Sequence, residues 1–166
     1  MPKRSAYKIR RRPPFFHPVS LRARCDGWNV ERQCEFLAQL YMTGSASAAA
    51  RHVGLSRATA YRLRGRADAV GFAFAWDHVL TPPGMGRTAR PKPDFRKVTD
   101  EELIRLAEGG LVQPVVYRGR MVGIRWKPDI SAALRLIRRA AAGPYGKGRN
   151  LAVPPPAEFL KQPRSV

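Results

Sequence analysis

Between residues 44 and 66 the apolar positions recur with the spacing of two short helices joined by a tight turn. The positions that share one side of both helices are Ala49, Val53, Leu55, Ala60 and Leu63. Glycine accommodates the left-handed conformation that ends a helix, so Gly54 is expected to end the first helix. Ser56 is a good N-cap for the second. The pattern therefore predicts a second helix from Arg57 to about Arg64, with its apolar side facing a core.

Helical periodicity continues on both sides of this pair. Asn29 is expected to cap a supporting helix over about 30–43, and Gly44 is expected to end it. Asp68 is expected to cap a fourth helix over 69–80. The apolar positions of these two outer helices are Phe36, Leu37, Leu40, Tyr41, Phe72, Trp76, Val79 and Leu80. We interpret their aromatic side chains as core packing and not as a platform for stacked bases.

Further along the chain, a capping box and an alternating pattern predict a helix followed by two strands. Thr99, with Glu102 three positions later, is typical of a helix start. Residues 112–117 and 121–126 read as the strands of a β-hairpin. The basic residues of this hairpin are Arg118, Arg120 and Arg125. They leave two interpretations open, a wing that touches DNA or a surface for dimerisation or another partner.

A last helix is predicted after the hairpin. Asp129 is expected to cap it, and it is expected to run from Ile130 to about 141. Its apolar positions Leu134, Ile137 and Ala141 are expected to face inward. The resulting α-β-β-α unit of about 45 residues buries too little surface to be stable alone. We therefore expect it to lean on the preceding helices or on a second copy.

The fold class expected for the whole chain is mainly α. Proline, glycine and basic residues divide the chain into predicted segments. These are a disordered basic arm (1–24), a four-helix bundle (25–80), a basic linker (81–98), the α-β-β-α unit (99–142) and a disordered tail (143–166). An alternative for the arm is that Phe15, Phe16 and Val19 dock on the bundle.

The net charge of +19 is large and unevenly distributed. Residues 1–24 carry eight basic side chains and no acidic one, whereas residues 25–80 carry six basic and five acidic. Such an excess favours a polyanionic partner. The basic run of the arm is Arg10, Arg11 and Arg12. We interpret it either as auxiliary contacts to DNA phosphates or as a solubilising tail.

The sequence lacks the patterns of catalytic and metal sites. Cys25 and Cys34, with three histidines, do not have the spacing of a zinc motif, and a disulfide framework is not expected. No nucleophile elbow, phosphate-binding loop or metal-binding set of carboxylates is found. We therefore expect no enzyme activity, no cofactor and no small-molecule ligand. Without a membrane-length apolar run or a signal-peptide core, a cytoplasmic location is expected.

The central pair of helices resembles the Fis-type helix-turn-helix. The matching positions are Gly44, Ala49, Ala50, Gly54, Leu55, Arg57 and Thr59, and Ser45 and Ser47 stand where that family has Asn and Thr. The resemblance implies that Ser56, Arg57, Thr59 and Arg62 contact DNA. The outward residues Ala58, Tyr61 and Arg64 complete the candidate surface, which has no acidic residue. Arginines at the start of an exposed helix suit guanine edges and phosphates in a major groove.

The alternative to a DNA-reading surface is an ordinary helical hairpin with a solvated basic face. With the charge, the resemblance favours a sequence-reading bacterial transcription regulator of the nucleoid that binds double-stranded DNA as a homodimer. The stretch from Phe72 to Trp76 is also similar to a motif of phage terminase small subunits. That likeness implies a DNA-packaging adaptor that assembles as a ring. Non-specific binding of nucleic acid is a third interpretation.

Overall fold

The computed structural model describes residues 10–21, 27–92 and 94–142. Within these ranges the chain is mainly helical and has one small antiparallel sheet, which confirms the predicted class. The helices are α1 (Val30–Thr43), α2 (Ala46–His52), α3 (Arg57–Arg64), α4 (Val70–Leu80), α5 (Asp100–Gly109) and α6 (Ile130–Ala142). The strands are β1 (Leu111–Tyr117) and β2 (Arg120–Lys127), between α5 and α6. The predictions for residues 1–9, 22–26 and 143–166 lie outside the described ranges.

The ends of α1 follow the predicted capping chemistry. The Asn29 side chain accepts a hydrogen bond from the Arg32 amide at 2.7 Å and so begins the helix. Gly44 ends it with a φ of 69°, and its amide donates to the Leu40 carbonyl at 2.7 Å. A left-handed residue at this place is the usual helix stop.

The junction between α2 and α3 is also formed as predicted. Gly54 has a φ of 72°, which turns the chain after α2. Ser56 is the N-cap of α3, and its hydroxyl accepts from the Thr59 amide at 3.2 Å. Ala60 and Leu63 of α3 are buried in the core that α1, α2 and α4 share. The predicted bounds of α3 are confirmed.

The helix α4 ends at Leu80 as predicted, but its start and the burial of Leu80 differ from the prediction. Ala67–Ala69 form a 3-10 turn, and α4 then begins without a side-chain cap. Asp68 instead binds the Arg66 guanidinium at 2.8 Å, and this hydrogen bonding lowers the pKa of the carboxyl group. Leu80 is 41% exposed and is not a core residue. One step beyond Val79 is a rotation of about 100° around the helix, which takes Leu80 off the buried side.

Aromatic rings fill the centre of the core. The ring of Phe36 lies 4.7 Å from that of Trp76 and 5.9 Å from that of Phe72, between centroids. Trp28 closes the cluster, with its ring 5.5 Å from Phe36. Phe36, Phe72 and Trp76 are buried, so the prediction that these rings serve packing is confirmed.

Residues 10–21 of the N-terminal arm pack on the core, so the prediction of a disordered arm is wrong for these residues. Phe16 is 1% exposed, and its backbone pairs with that of Val112 through hydrogen bonds of 3.0 and 2.9 Å. The buried side chain of Gln33 accepts from the Val19 amide at 2.8 Å and donates to the Val19 carbonyl at 2.9 Å. The alternative that Phe16 and Val19 dock on the bundle is therefore confirmed. Burial of these apolar side chains stabilises the docked arm despite its basic composition.

The hairpin packs on this core through one face. Val112 belongs to the buried core, and Val116, Met121 and Ile124 pack against it. The turn at residues 118–119 has positive φ angles of 47° and 79°, as in the type I′ turns of two-residue hairpins. The expectation that the α-β-β-α unit leans on the preceding helices is thus met through its hairpin.

The side of α6 that faces the rest of the protein is not the predicted one. Ala132 of α6 is buried, whereas Leu134 is 49% and Ile137 is 63% exposed. The guanidinium of Arg135 lies 3.5 Å from the centroid of the Phe95 ring. Arg139 donates to the Val98 carbonyl and to Asp100, each at 2.7 Å. The inward side of α6 contains Ala132, Leu136 and Arg139. Leu134, Ile137 and Ala141 are exposed, so the prediction that they face inward is wrong.

The segment before α5 runs without helix or strand and is tied to the arm. Arg90 donates to the Phe15 carbonyl at 2.7 Å, and Arg11 donates to the Pro82 and Gly86 carbonyls.

Of the helices in the described ranges, none has the length and apolar character that crossing a membrane requires.

Candidate nucleic-acid interface

The exposed side of α3 carries most of the residues that the sequence singled out. Those that face solvent are Ser56, Arg57, Ala58, Tyr61 and Arg62, and the half-buried ones are Thr59 and Arg64. The helix contains no acidic residue. Its surface is therefore positive and open, with two short hydroxyl side chains at its N-terminal end.

Tyr61 anchors the exposed side of α3 to the core. Its ring lies 5.2 Å from that of Trp76, while 42% of the residue is exposed. The Arg57 guanidinium lies 5.3 Å from the centroid of the Tyr61 ring. A guanidinium above an aromatic face is held by cation–π attraction and loses less freedom when it binds. Arg57 is thus presented at the start of α3 on a half-exposed ring that itself packs against the buried Trp76.

The hydroxyl groups of Ser56 and Thr59 are engaged in the N-cap. Besides the capping bond from the Thr59 amide, the Thr59 hydroxyl donates to the Ser56 carbonyl at 2.7 Å. The two hydroxyl oxygens lie 3.3 Å apart. These bonds fix the first turn of α3, so both residues have a structural role in addition to their predicted contact with DNA.

Arg64 differs from the other arginines of α3. Its Nη2 lies 2.7 Å from the Asp77 carboxylate on α4, and its guanidinium lies 5.7 Å from the Trp76 ring. In the described ranges, neither Arg57 nor Arg62 has a carboxylate within ion-pair distance. The positive charge available to a ligand on α3 therefore belongs mainly to Arg57 and Arg62.

The three arginines of the arm occupy different places. Arg10 is half-buried, and its Nη1 donates to the carbonyls of Tyr41 and Met42 at 3.1 and 3.0 Å. Arg11 is tied to the segment after α4, as described above. Arg12 is exposed. The structure thus separates one helix-capping arginine, one bridging arginine and one that is open to solvent.

A second basic surface forms where Arg12 meets the turn of the hairpin. Arg10, Arg12 and Arg118 line a cavity of about 420 Å³ together with Tyr41 and Tyr117. Sequence reasoning assigned Arg118 to a possible wing but did not place it beside the arm. The cavity brings together residues that are far apart in the chain, which is why local sequence patterns did not predict it.

The described ranges hold no grouping of three or more His, Cys, Asp or Glu side chains that suits a metal ion. Cys34 is buried, and this desolvation raises the pKa of its thiol to about 12. A thiol of this kind stays protonated near neutral pH and is a poor nucleophile. Cys34 therefore acts as a small core residue.

Comparison of the chain with protein-family models, with curated proteins and with solved structures finds no match. The resemblance to the Fis-type helix-turn-helix therefore stays a prediction, as does the likeness to terminase small subunits.

Proposed function

We propose that this chain is a sequence-reading DNA-binding protein and acts as a bacterial transcription regulator at the nucleoid. The observation that supports the proposal most is the exposed side of α3. It is positive, has no acidic residue, and follows α2 after a short turn at Gly54. This is the arrangement expected of a helix-turn-helix whose second helix enters a major groove.

In the proposed complex the N-terminal end of α3 faces the bases. Arg57, steadied by the Tyr61 ring, donates to a guanine edge, and Arg62 reads a second base or an adjacent phosphate. Ser56 and Thr59 bond phosphates at the edge of the groove. Tyr61 supports Arg57 or contacts a base. The mechanism is docking without chemistry, and the remaining basic residues add a salt-dependent attraction.

The proposal includes two copies of the chain on a site with twofold symmetry. A single helix of eight residues contacts few base pairs, and a dimer doubles the site. The exposed apolar side of α6, formed by Ile130, Leu134 and Ile137, supports this. Glu101 and Glu108 of the neighbouring α5 are exposed, as is Arg138 of α6, which carries the opposite charge. A surface that carries both halves of a charge pair is suited to pairing with itself.

Selection of binding sites from a random duplex pool tests the proposal. The experiment compares the full chain with Arg57→Ala and with the control Arg96→Ala at near-physiological salt. Arg96 is exposed and lies in the segment before α5. We expect the full chain and the control to enrich the same motif. Arg57→Ala is expected to lose about 1–3 kcal/mol on that motif and to relax specificity at one position.

Two outcomes contradict this proposal. If Arg57→Ala weakens every duplex equally, α3 does not read bases in the manner described. If no motif is enriched although binding is tight and salt-sensitive, the chain binds nucleic acid without sequence preference. Light scattering separates the regulator from the packaging adaptor, because the adaptor is expected to form a ring and the regulator a dimer.

A further inference from the structure

The cavity beside the arm has the electrostatic character of an anion site. Arg10, Arg12 and Arg118 all line it, and none of the described residues that line it is acidic. Within the described ranges none of these three arginines forms an ion pair with a carboxylate. Like charges around one concavity repel each other, and an anion between them removes that repulsion. The arrangement therefore favours a negatively charged ligand.

The position of the cavity relates it to the helix-turn-helix. Arg10 caps the carbonyls at the end of α1 and lies over Gly44, where a Cβ atom would come within 2.3 Å of its Nη2. Gly44 is followed by Ser45, the N-cap of α2. In the homeodomain, a three-helix relative of the helix-turn-helix, the loop between the first two helices contacts the DNA backbone. The cavity adjoins the corresponding loop.

The wall formed by the hairpin is held in place by its turn. Arg118 has a positive φ of 47°, and Gly119 follows with 79°. The Arg118 guanidinium lies 5.2 Å from the centroid of the Tyr117 ring. Arginine donates two hydrogen bonds to a phosphate in a fixed fork, and the Tyr117 hydroxyl supplies another donor. The groups that line the cavity therefore suit a phosphate better than an apolar ligand.

We propose that this cavity binds a phosphate group of the DNA backbone beside the site that α3 reads, with Arg12 and Arg118 as the two contacting residues. Arg10 fixes the side of the cavity formed by the arm and α1, because it donates to the last carbonyls of that helix. This inference rests on the proposed function, since it needs a duplex on α3. The same chemistry would also suit a free phosphate or a nucleotide, so the test includes both sources.

The test uses the full chain with Arg12→Gln and Arg118→Asn combined. Asparagine tolerates positive φ, so the hairpin turn is expected to survive, and thermal unfolding checks it. The matched control is Arg87→Gln with Arg96→Gln, which removes the same charge from exposed positions that do not line the cavity. Binding of the selected duplex and of a scrambled one is measured over a range of salt concentrations. Inorganic phosphate and AMP are titrated separately by calorimetry.

The proposal expects the cavity variant to bind both duplexes more weakly by the same factor. The slope of log K against log salt should become shallower by about 1 for each lost phosphate contact. The control should change that slope by less than half as much. Arg57→Ala should still relax specificity, because it acts at the bases.

Three results overturn it. If the cavity variant behaves as the control does while Arg57→Ala still relaxes specificity, the cavity assignment fails and the proposed function stands. If phosphate or AMP binds the wild type but not the cavity variant, with duplex binding unchanged, the cavity holds a soluble phosphate instead of DNA. If the wild type binds no duplex, the proposed function fails and the backbone assignment fails with it.

Discussion

Truncation of Phe16 is the sharpest test of how the N-terminal arm is held. The side chain is 1% exposed, and its ring lies edge-on to that of Phe72 at 6.1 Å between centroids. Phe16→Ala removes the ring but keeps the two backbone hydrogen bonds to Val112. The change therefore isolates the contribution of side-chain burial to the docking of the arm.

The expected cost is large compared with the stability of a small protein. Burial of a phenylalanine side chain is worth about 1.5–3 kcal/mol by transfer, and the cavity left behind adds to that. Phe→Ala changes in cores cost about 3–5 kcal/mol, which includes the edge-on aromatic contact. Domains of this kind have about 5–15 kcal/mol in total. We therefore expect Phe16→Ala to remove at least about a fifth of the free energy of unfolding.

Urea unfolding followed by tryptophan fluorescence measures this cost, since Trp28 and Trp76 lie in the aromatic core. Phe15→Ala is the control. Phe15 is half-buried, with Lys127 6.0 Å from its ring centroid, and its loss should cost about 1 kcal/mol. If the two variants unfold within about 1 kcal/mol of each other, Phe16 is not the anchor described and the reasoning is refuted.

Three further changes test neighbouring features. Gly71→Ala should destabilise the chain, because the new Cβ would lie 2.9 Å from the backbone oxygen of His17. Helix propensity alone predicts a gain of up to about 1 kcal/mol, so a rise in the melting temperature would show that the arm does not lie there. Gln33→Leu leaves the Val19 amide and carbonyl without their partner, and a loss of about 2 kcal/mol or more in urea unfolding is expected. Ile137→Glu should shift the sedimentation of the full chain from dimer to monomer without altering its circular dichroism, and an unchanged dimer would place the interface elsewhere.

Local signals in the sequence were sufficient for most helix ends. Asn29, Ser56, Thr99 and Asp129 each accept a backbone hydrogen bond at the predicted helix start. Gly44 and Gly54 take the predicted left-handed conformation. These features depend on residues three or four positions apart, so they are readable without knowledge of the rest of the chain.

Features that depend on distant partners were not predictable in this way. The arm has the composition of a disordered tail, and its order comes from Val112 and Gln33, which lie in other elements. The inward side of α6 is not the predicted one, and its Arg135 and Arg139 contact the segment 95–100, which precedes α6 by about 30 residues or more. Periodicity predicted the outward residues of α3. It did not predict that Arg12 and Arg118 line one cavity.

The docked arm also sets an order of events during synthesis. Gln113 of β1 donates to the Pro13 carbonyl of the arm across a separation of 100 residues. At a synthesis rate of about 5–20 residues per second, the arm waits for roughly 5–20 seconds before its partner strand leaves the ribosome. Contacts between such distant residues also slow the folding of the completed chain. During that interval the side of the helical core that receives β1 stays uncovered, and the nascent chain depends on dilution or chaperones to avoid aggregation.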